Sequence, residues 1–348
     1  MAIDKAKEVR EGEELNWRSL ESYLKSEVNG LNGEMEVKQF HGGHANLTYL
    51  LLFGDQQFIL RRPPFGKIAP GAHDMKREFR VLSKLYTQFS RAPRAYLYCE
   101  DSEIIGSPFV MAERRSGVIV RYKVPEVFAA IENVEQRLTD ALIKALADLH
   151  TVDVVKADLI KLGRPDGFIQ RQLDGWAKRW SLVKIDQQSN IMERVHAALI
   201  KDIPKPQAAS IIHNDIKFDN CQFQANSPDE VTSIFDWDMT TLGDPLADLG
   251  MSLSYWPDPK MADYKELPVM LKGDFPDKEY FINKYAEHTG YDVSQAYWYE
   301  ALSYWKGAVI AQQLYKRYCD GDTKDERMAS FGMSAQALGE LALEKILR

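Results

Sequence analysis

Between Ser210 and Leu249 the chain reads SIIHNDIKFDNCQFQANSPDEVTSIFDWDMTTLGDPLADL, two groups of carboxylates and an amide held apart by the pattern of a short β-hairpin. Cys221 to Gln224 alternates apolar and polar residues, Val231 to Phe235 is rich in β-branched and apolar ones, and the six residues between them are turn formers. In an antiparallel pair the start of the first strand lies beside the end of the second. The pattern therefore predicts that Asn220 and Asp236 are neighbours whose side chains can share one ion.

Upstream of this hairpin stands His213-Asn214-Asp215, and four residues separate Asp215 from Asn220. The D-x-x-x-x-N spacing is that of the catalytic loop of kinases, where the Asp accepts the proton of the attacking hydroxyl and the Asn holds Mg²⁺. The residue types suit that chemistry. Mg²⁺ takes carboxylate, amide carbonyl, phosphate and water oxygens, which Asn220 and Asp236 can supply in part, while Asp215 is close enough in sequence to serve as base. Taken singly, Asp215 and Asp236 would pass for solvated turn residues, the usual fate of Asp beside a strand.

The run HNDIKFDN, followed at short range by IFDWDMTTLGDPLADLG, resembles the aminoglycoside phosphotransferase and choline kinase-like family, particularly the branch of kinase-like domains fused to some acyl-CoA dehydrogenases. The resemblance implies an α+β, two-lobed protein kinase-like fold: a small antiparallel-sheet lobe over residues 1–112 that binds nucleotide, and a larger, mostly helical lobe over 113–348 that carries catalysis and the acceptor. It implies ATP and Mg²⁺ as cofactors, Asp215 and Asn220 as catalytic residues, Asn220 and Asp236 as metal ligands, and Asp248 as a carboxylate that ties the catalytic loop in place. The expected reaction is transfer of the γ-phosphoryl group to a hydroxyl of a small molecule, a hydroxylated acyl compound being the class the branch suggests. The alternatives are a non-catalytic nucleotide-binding module, which would usually lack one of Asp215, Asn220 or Asp236, and an aminoglycoside or amino-alcohol kinase.

The remaining sequence supplies the support. Asn16 caps a predicted helix to about Val28, with Trp17, Leu20, Leu24 and Val28 on one face. Three short strands follow at Glu36–Phe40, Thr48–Phe53 and Gln57–Leu60, the last two joined by a tight Gly54-Asp55 turn. The connection HGGHAN between the first two places Gly42, Gly43 and Asn46 at the same end of the sheet as Arg61. Glycines there would let backbone N–H groups approach phosphate, although a Gly-Gly pair is commonly a plain turn. In the family, Arg61 or its neighbour Arg62 stands where most kinases have a strand Lys.

Asp74 to Tyr86 reads as a helix whose inner face includes Met75, Glu78 and Leu82, so Glu78 needs a cation and Arg61 is the expected one; the plain alternative is a Glu at the edge of the stripe that reaches water. Ile104 to Arg114 reads as a buried strand, and the family's inter-lobe link there would offer backbone groups of Met111 and Glu113 to an adenine ring. Leu138, Leu142, Leu146 and Leu149 mark a core helix ending at His150, read as a structural residue at the terminal carbonyls. Arg171, Trp176, Arg179, Trp180 and Trp305 fall in two aromatic-rich helical stretches and could line an acceptor cleft or simply fill the core.

Composition bounds the rest. A net charge of −7 with no Lys/Arg cluster argues against nucleic-acid binding, no apolar run suggests a membrane span, and three scattered cysteines with a charged N-terminus point to a reducing cytoplasm.

Overall fold

A computed structural model of the chain describes residues 5–42, 46–66, 73–185, 190–256, 273–323 and 325–347. In order, its elements begin with α1 (Trp17–Glu27), β1 (Met35–Phe40), β2 (Leu47–Phe53), β3 (Gln56–Arg62), α2 (Met75–Leu85), β4 (Ala95–Cys99), the single turn α3 (Ser102–Ile105), β5 (Phe109–Glu113), β6 (Val118–Ile119) and α4 (Val134–His150). There follow α5 (Phe168–Val183), α6 (Ile191–Lys201), β7 (Ser210–Ile212), β8 (Cys221–Phe223), β9 (Val231–Ile234), β10 (Thr241–Gly243), α7 (Pro245–Ser254), α8 (Lys278–Thr289), α9 (Ala296–Cys319) and α10 (Phe331–Ile346). No helix among the described residues is long and apolar enough to cross a membrane.

The chain divides into two compact units that interleave along the sequence: Met1–Ala145, Val152–Leu162 and Lys217–Thr241 form the first, the remainder the second. The first unit is built on a five-stranded sheet in the order β1-β2-β3-β5-β4, with antiparallel neighbours throughout. Alternation along the strands gives it two faces. Leu51, Phe53, Leu60 and Met111 pack with Leu20 and Leu24 of α1 in one core. Asn16 caps α1, its Oδ1 accepting the Ser19 N–H at 3.1 Å, and Asp74 caps α2 by accepting the Arg77 N–H at 2.9 Å.

The expected strand from Ile104 is shorter. Asp101 accepts the Glu103 N–H at 2.9 Å and Gly106 closes the turn at φ +83°, so Ile104 and Ile105 lie in α3 and extended backbone starts at Phe109. The same unit holds the hairpin of β8 and β9, edged by β6.

The second unit is mostly helical. α7 rests directly on α9, because a Cβ on Gly250 would lie 2.3 Å from the Tyr299 carbonyl carbon; only glycine permits that approach. The Tyr299 hydroxyl donates to Asp244, which also caps α7 by accepting the Leu246 N–H at 3.1 Å.

Candidate active site

In the first unit, adjacent arginines of β3 take opposite faces. Arg62 is buried among backbone carbonyls, its Nε donating to Pro63 O at 3.0 Å and its Nη1 to Ile105 O at 3.3 Å, with its guanidinium 4.1 Å from the Phe65 ring centroid. Arg61 turns towards α2. Its Nη1 lies 3.0 Å from Glu78 Oε1 and its Nη2 donates to Asp236 Oδ1 at 2.7 Å, so one guanidinium joins a helix carboxylate to the residue that ends the hairpin. The Glu78 that sequence periodicity places on the inner face is thus paired. Burial alone would lower the Arg61 pKa, but Glu78 and Asp236 together hold it above the usual arginine value.

Glu78 is less well compensated. Its Oε2 has no hydrogen-bond partner among the described residues, and burial, offset only in part by Arg61 and reinforced by the charges of Asp236 and Asp238, pushes its carboxyl up to about 7.

The hairpin does what its pattern predicts. Cys221 pairs with Ile234, and Phe235 N–H donates to Asn220 O at 2.9 Å, which sets Asn220 beside the residue preceding Asp236. Asp236 itself adopts the left-handed conformation at φ +71°, turning the chain sharply into Trp237–Met239. Asp238, two residues on, is largely buried, and burial together with the charge of Asp236 raises its pKa. Asn46 joins this group: its Oδ1 accepts from His73 Nδ1 at 2.8 Å, and its side-chain amide faces Asp238, where it offsets part of the upward shift of that carboxyl.

Other expected nucleotide residues fall differently. Gly42 does have a use for its missing Cβ, but the space is taken by the Arg121 guanidinium, whose Nη2 would stand 2.7 Å from an added Cβ. Gly43 lies outside the described residues. Met111 is fully buried between Leu60 and Leu97, so its side chain belongs to the core. The Glu113 N–H is engaged by Arg94 O at 2.8 Å and its carboxylate by Arg115 at 3.1 Å.

These donors suit a hard cation that arrives with phosphates. No group of three His, Cys, Asp or Glu capable of holding a metal occurs among the described residues, whereas two carboxylates and an amide on one hairpin match Mg²⁺, which takes one or two carboxylates and fills its shell with phosphate and water. A cation would also relieve the repulsion between Asp236 and Asp238.

In the second unit, Asp248 of α7 receives the backbone of the HND motif. Its Oδ2 accepts the His213 N–H at 2.5 Å and its Oδ1 the Asn214 N–H at 2.6 Å, and His150 Nε2 lies 3.2 Å from Oδ2. Burial alone would raise the Asp248 pKa, but these bonds and the nearby histidines hold it below the usual value. His150 is therefore structural, though through Asp248 and the Tyr285 hydroxyl, 2.6 Å from Nδ1. With its amide fixed, Asn214 takes φ +71° and delivers Asp215, whose Oδ1 accepts from the Tyr255 hydroxyl at 2.5 Å. Tyr255 was not expected, since nothing in its neighbourhood marks it.

Several candidate acceptor residues have hydrogen-bond partners within the second unit. Arg171 donates to the carbonyls of Asp166 and Arg164, Trp180 Nε1 to Glu193 at 3.0 Å, and Trp305 Nε1 to Met192 O at 3.1 Å. Trp176 Nε1 donates to Gln172 Oε1 at 3.2 Å within α5, and its half-buried ring has the Arg179 guanidinium 4.4 Å and the Lys306 Nζ 5.7 Å from its centroid.

The model of the phosphotransferase enzyme family matches residues 36–266, which hold the Arg61 cluster, the hairpin and the HND loop together. The chain belongs to that family. Among curated members, it is 32% identical to acyl-CoA dehydrogenase family member 11 of Pongo abelii, over 94% of this chain and 42% of that protein, and 31% identical to acyl-CoA dehydrogenase family member 10 of Mus musculus, over 98% and 32%. The chain thus spans less than half the length of these relatives. Among solved family structures, one from Ralstonia eutropha JMP134 that carries the provisional name of an aminoglycoside phosphotransferase is 27% identical, with a TM-score of 0.78 over 96% of this chain and 99% of that one. Aminoglycoside phosphotransferase APH(4)-Ia, solved with AMP-PNP and hygromycin B, is 15% identical with a TM-score of 0.59 over 93% and 98%, a likeness of fold alone. The family's α+β kinase-like architecture, sheet first and helices after, is the one seen here.

Proposed function

We propose that the chain is an ATP- and Mg²⁺-dependent phosphotransferase that moves the γ-phosphoryl group to a hydroxyl of a small molecule, with Asp215 as the base. The observation that carries this reading is the anchoring of the Asp215 loop by Asp248. A buried carboxylate that fixes two consecutive backbone N–H groups costs desolvation and is retained where the position of the next side chain matters. In the reaction, Asp215 orients the acceptor hydroxyl and takes its proton, the acceptor oxygen bonds to the γ-phosphorus, and the bond from that phosphorus to the bridging oxygen of ADP breaks. Arg61, oriented by Glu78, and the Asn46 amide offer N–H donors to the phosphates, with the Gly42-Gly43 turn nearby in sequence and the β5 end at Met111 and Glu113 proposed for the base. Asn220 and Asp236 would hold Mg²⁺, which when bound neutralises phosphate charge.

The names of the relatives favour a hydroxylated acyl compound as acceptor. The test is Mg²⁺-dependent ADP formation against hydroxylated acyl compounds, amino alcohols, sugars and aminoglycosides. An acceptor that raises ADP formation with wild type, and at least roughly 1,000-fold less with Asp215→Asn at unchanged ATP affinity, supports the reading. Equal turnover by the variant overturns the role of Asp215.

A further inference from the structure

Lys306 is a buried cation of the second unit that the described contacts leave without a direct ion-pair partner. It lies on α9 two helical turns beyond Tyr299, and therefore on the side of that helix that meets α7. Its exposure is 8%. Two other buried lysines, Lys278 and Lys345, share the Glu300 carboxylate, and Lys278 also donates to the Tyr304 hydroxyl at 3.0 Å. Lys306 has no hydrogen bond or ion pair among the described residues. It meets the Trp176 ring instead, and that same indole carries Arg179.

A buried ammonium without a partner is costly, and a chain retains one where something else supplies the negative charge. Asp248 and Asp215 are near enough to attract Lys306, yet Asp248 already serves His213, Asn214 and His150. Burial prevails over both attractions, with Arg179 adding repulsion, and lowers the ammonium to about 8. At neutral pH the site therefore presents two cations against one indole, and Lys306 lies within the electrostatic reach of the proposed base.

We propose that Lys306, with Arg179 on the same indole, receives an anionic group of the phosphate acceptor, a carboxylate or phosphate borne by the molecule whose hydroxyl Asp215 addresses. The inference rests on the reading of Asp215 given above. The acceptor is then a hydroxy acid or a phosphorylated hydroxy compound with an apolar portion to lie on Trp176. A polycationic aminoglycoside is disfavoured, since it would meet two like charges where it needs carboxylates.

A series of fixed length separates charge from shape: 6-hydroxyhexanoate, 6-hydroxyhexyl phosphate, 6-hydroxyhexanamide and 6-aminohexan-1-ol. Their binding is measured by calorimetry on wild type, Lys306→Met and Lys306→Arg, with thermal melting and ATP affinity as controls for folding. Wild type should bind at least one anionic member about 10- to 100-fold more tightly than the amide and the amine, the span that a hydrogen bond between charged groups is worth. Lys306→Met should abolish that preference and Lys306→Arg keep most of it. The carboxylate and phosphate arms show which anion is read. Wild type that binds no member, or the anions no better than the amide, overturns the proposal, as does a preference that survives in Lys306→Met. ADP formation with the same series tests the phosphotransfer reading separately: an anion preference lost in Lys306→Met, with no ADP above the Asp215→Asn background, leaves the anion site standing and removes the base.

Discussion

Tyr255 donates its hydroxyl to Asp215 Oδ1 across 2.5 Å, joining a residue at the end of α7 to one 40 positions earlier, whose own backbone neighbours α7 already holds through Asp248. One helix thus fixes both the approach of the loop and the orientation of the carboxylate it carries. Tyr255→Phe should lower turnover about 10-fold, the worth of a hydrogen bond to a charged group, with ATP affinity unchanged. Steady-state kinetics that show the loss in ATP affinity instead would contradict this role.

Asp236 has two expected duties, as a partner of Arg61 and as a ligand for Mg²⁺. Asp236→Ala should weaken Mg²⁺-dependent nucleotide binding by more than the roughly 10- to 100-fold that follows even the loss of a residue supporting a metal ligand. Calorimetry with ADP in Mg²⁺ and in EDTA should show the gap between the two conditions closing in the variant.

Glu78 makes stability depend on pH. Its folded carboxyl titrates near 7 against an ordinary 4.5, so between those values the folded state keeps a proton that the unfolded chain has released. Its contribution is present in full below pH 4.5 and is lost as pH rises through 7, by an amount on the order of 3 kcal/mol. Glu78→Gln should remove that part of the slope. Chemical denaturation at steps from pH 4.5 to 8 should give wild-type and variant curves that converge or cross towards acid; parallel curves would show that Glu78 ionises normally.

Gly250→Ala would place a methyl carbon 2.3 Å from the Tyr299 carbonyl carbon, well inside van der Waals contact. α7 and α9 must separate, at a cost of about 1–3 kcal/mol, with the lower urea midpoint that this implies. A variant as stable as wild type would mean that the helices slide freely past each other.

Much of this was legible in the sequence because its causes are local. Alternation and turn residues suffice to bring Asn220 beside the end of β9, since a hairpin register has few solutions. Helix periodicity suffices to turn Glu78 inward, and strand alternation implies that Arg61 and Arg62 part, although only the packing of α2 shows which one meets the carboxylates. Tyr255, Lys306 and the partnership of His150 with Asp248 depend on helices meeting across long stretches of chain, and no spacing encodes them. α3 was misread because Ile104 and Ile105 look like strand residues, while the decisive signals were the flanking Asp101 and Gly106. β4 went unread because its sequence AYLYC offers only a weak alternation of exposure.

The interleaving of the units limits where the chain can be cut. Residues 217–241 fold with the N-terminal unit although they lie between segments of the other, so no contiguous fragment contains one unit whole without part of the other. A peptide ending at residue 162 would keep Arg61 and Glu78 but lose Asp236, leaving their ion-pair network one carboxylate short. Sequence can therefore be added outside this span, as in relatives of which it makes up 32–44%, but any cut within it severs at least one unit. No single cut in the chain leaves both units whole.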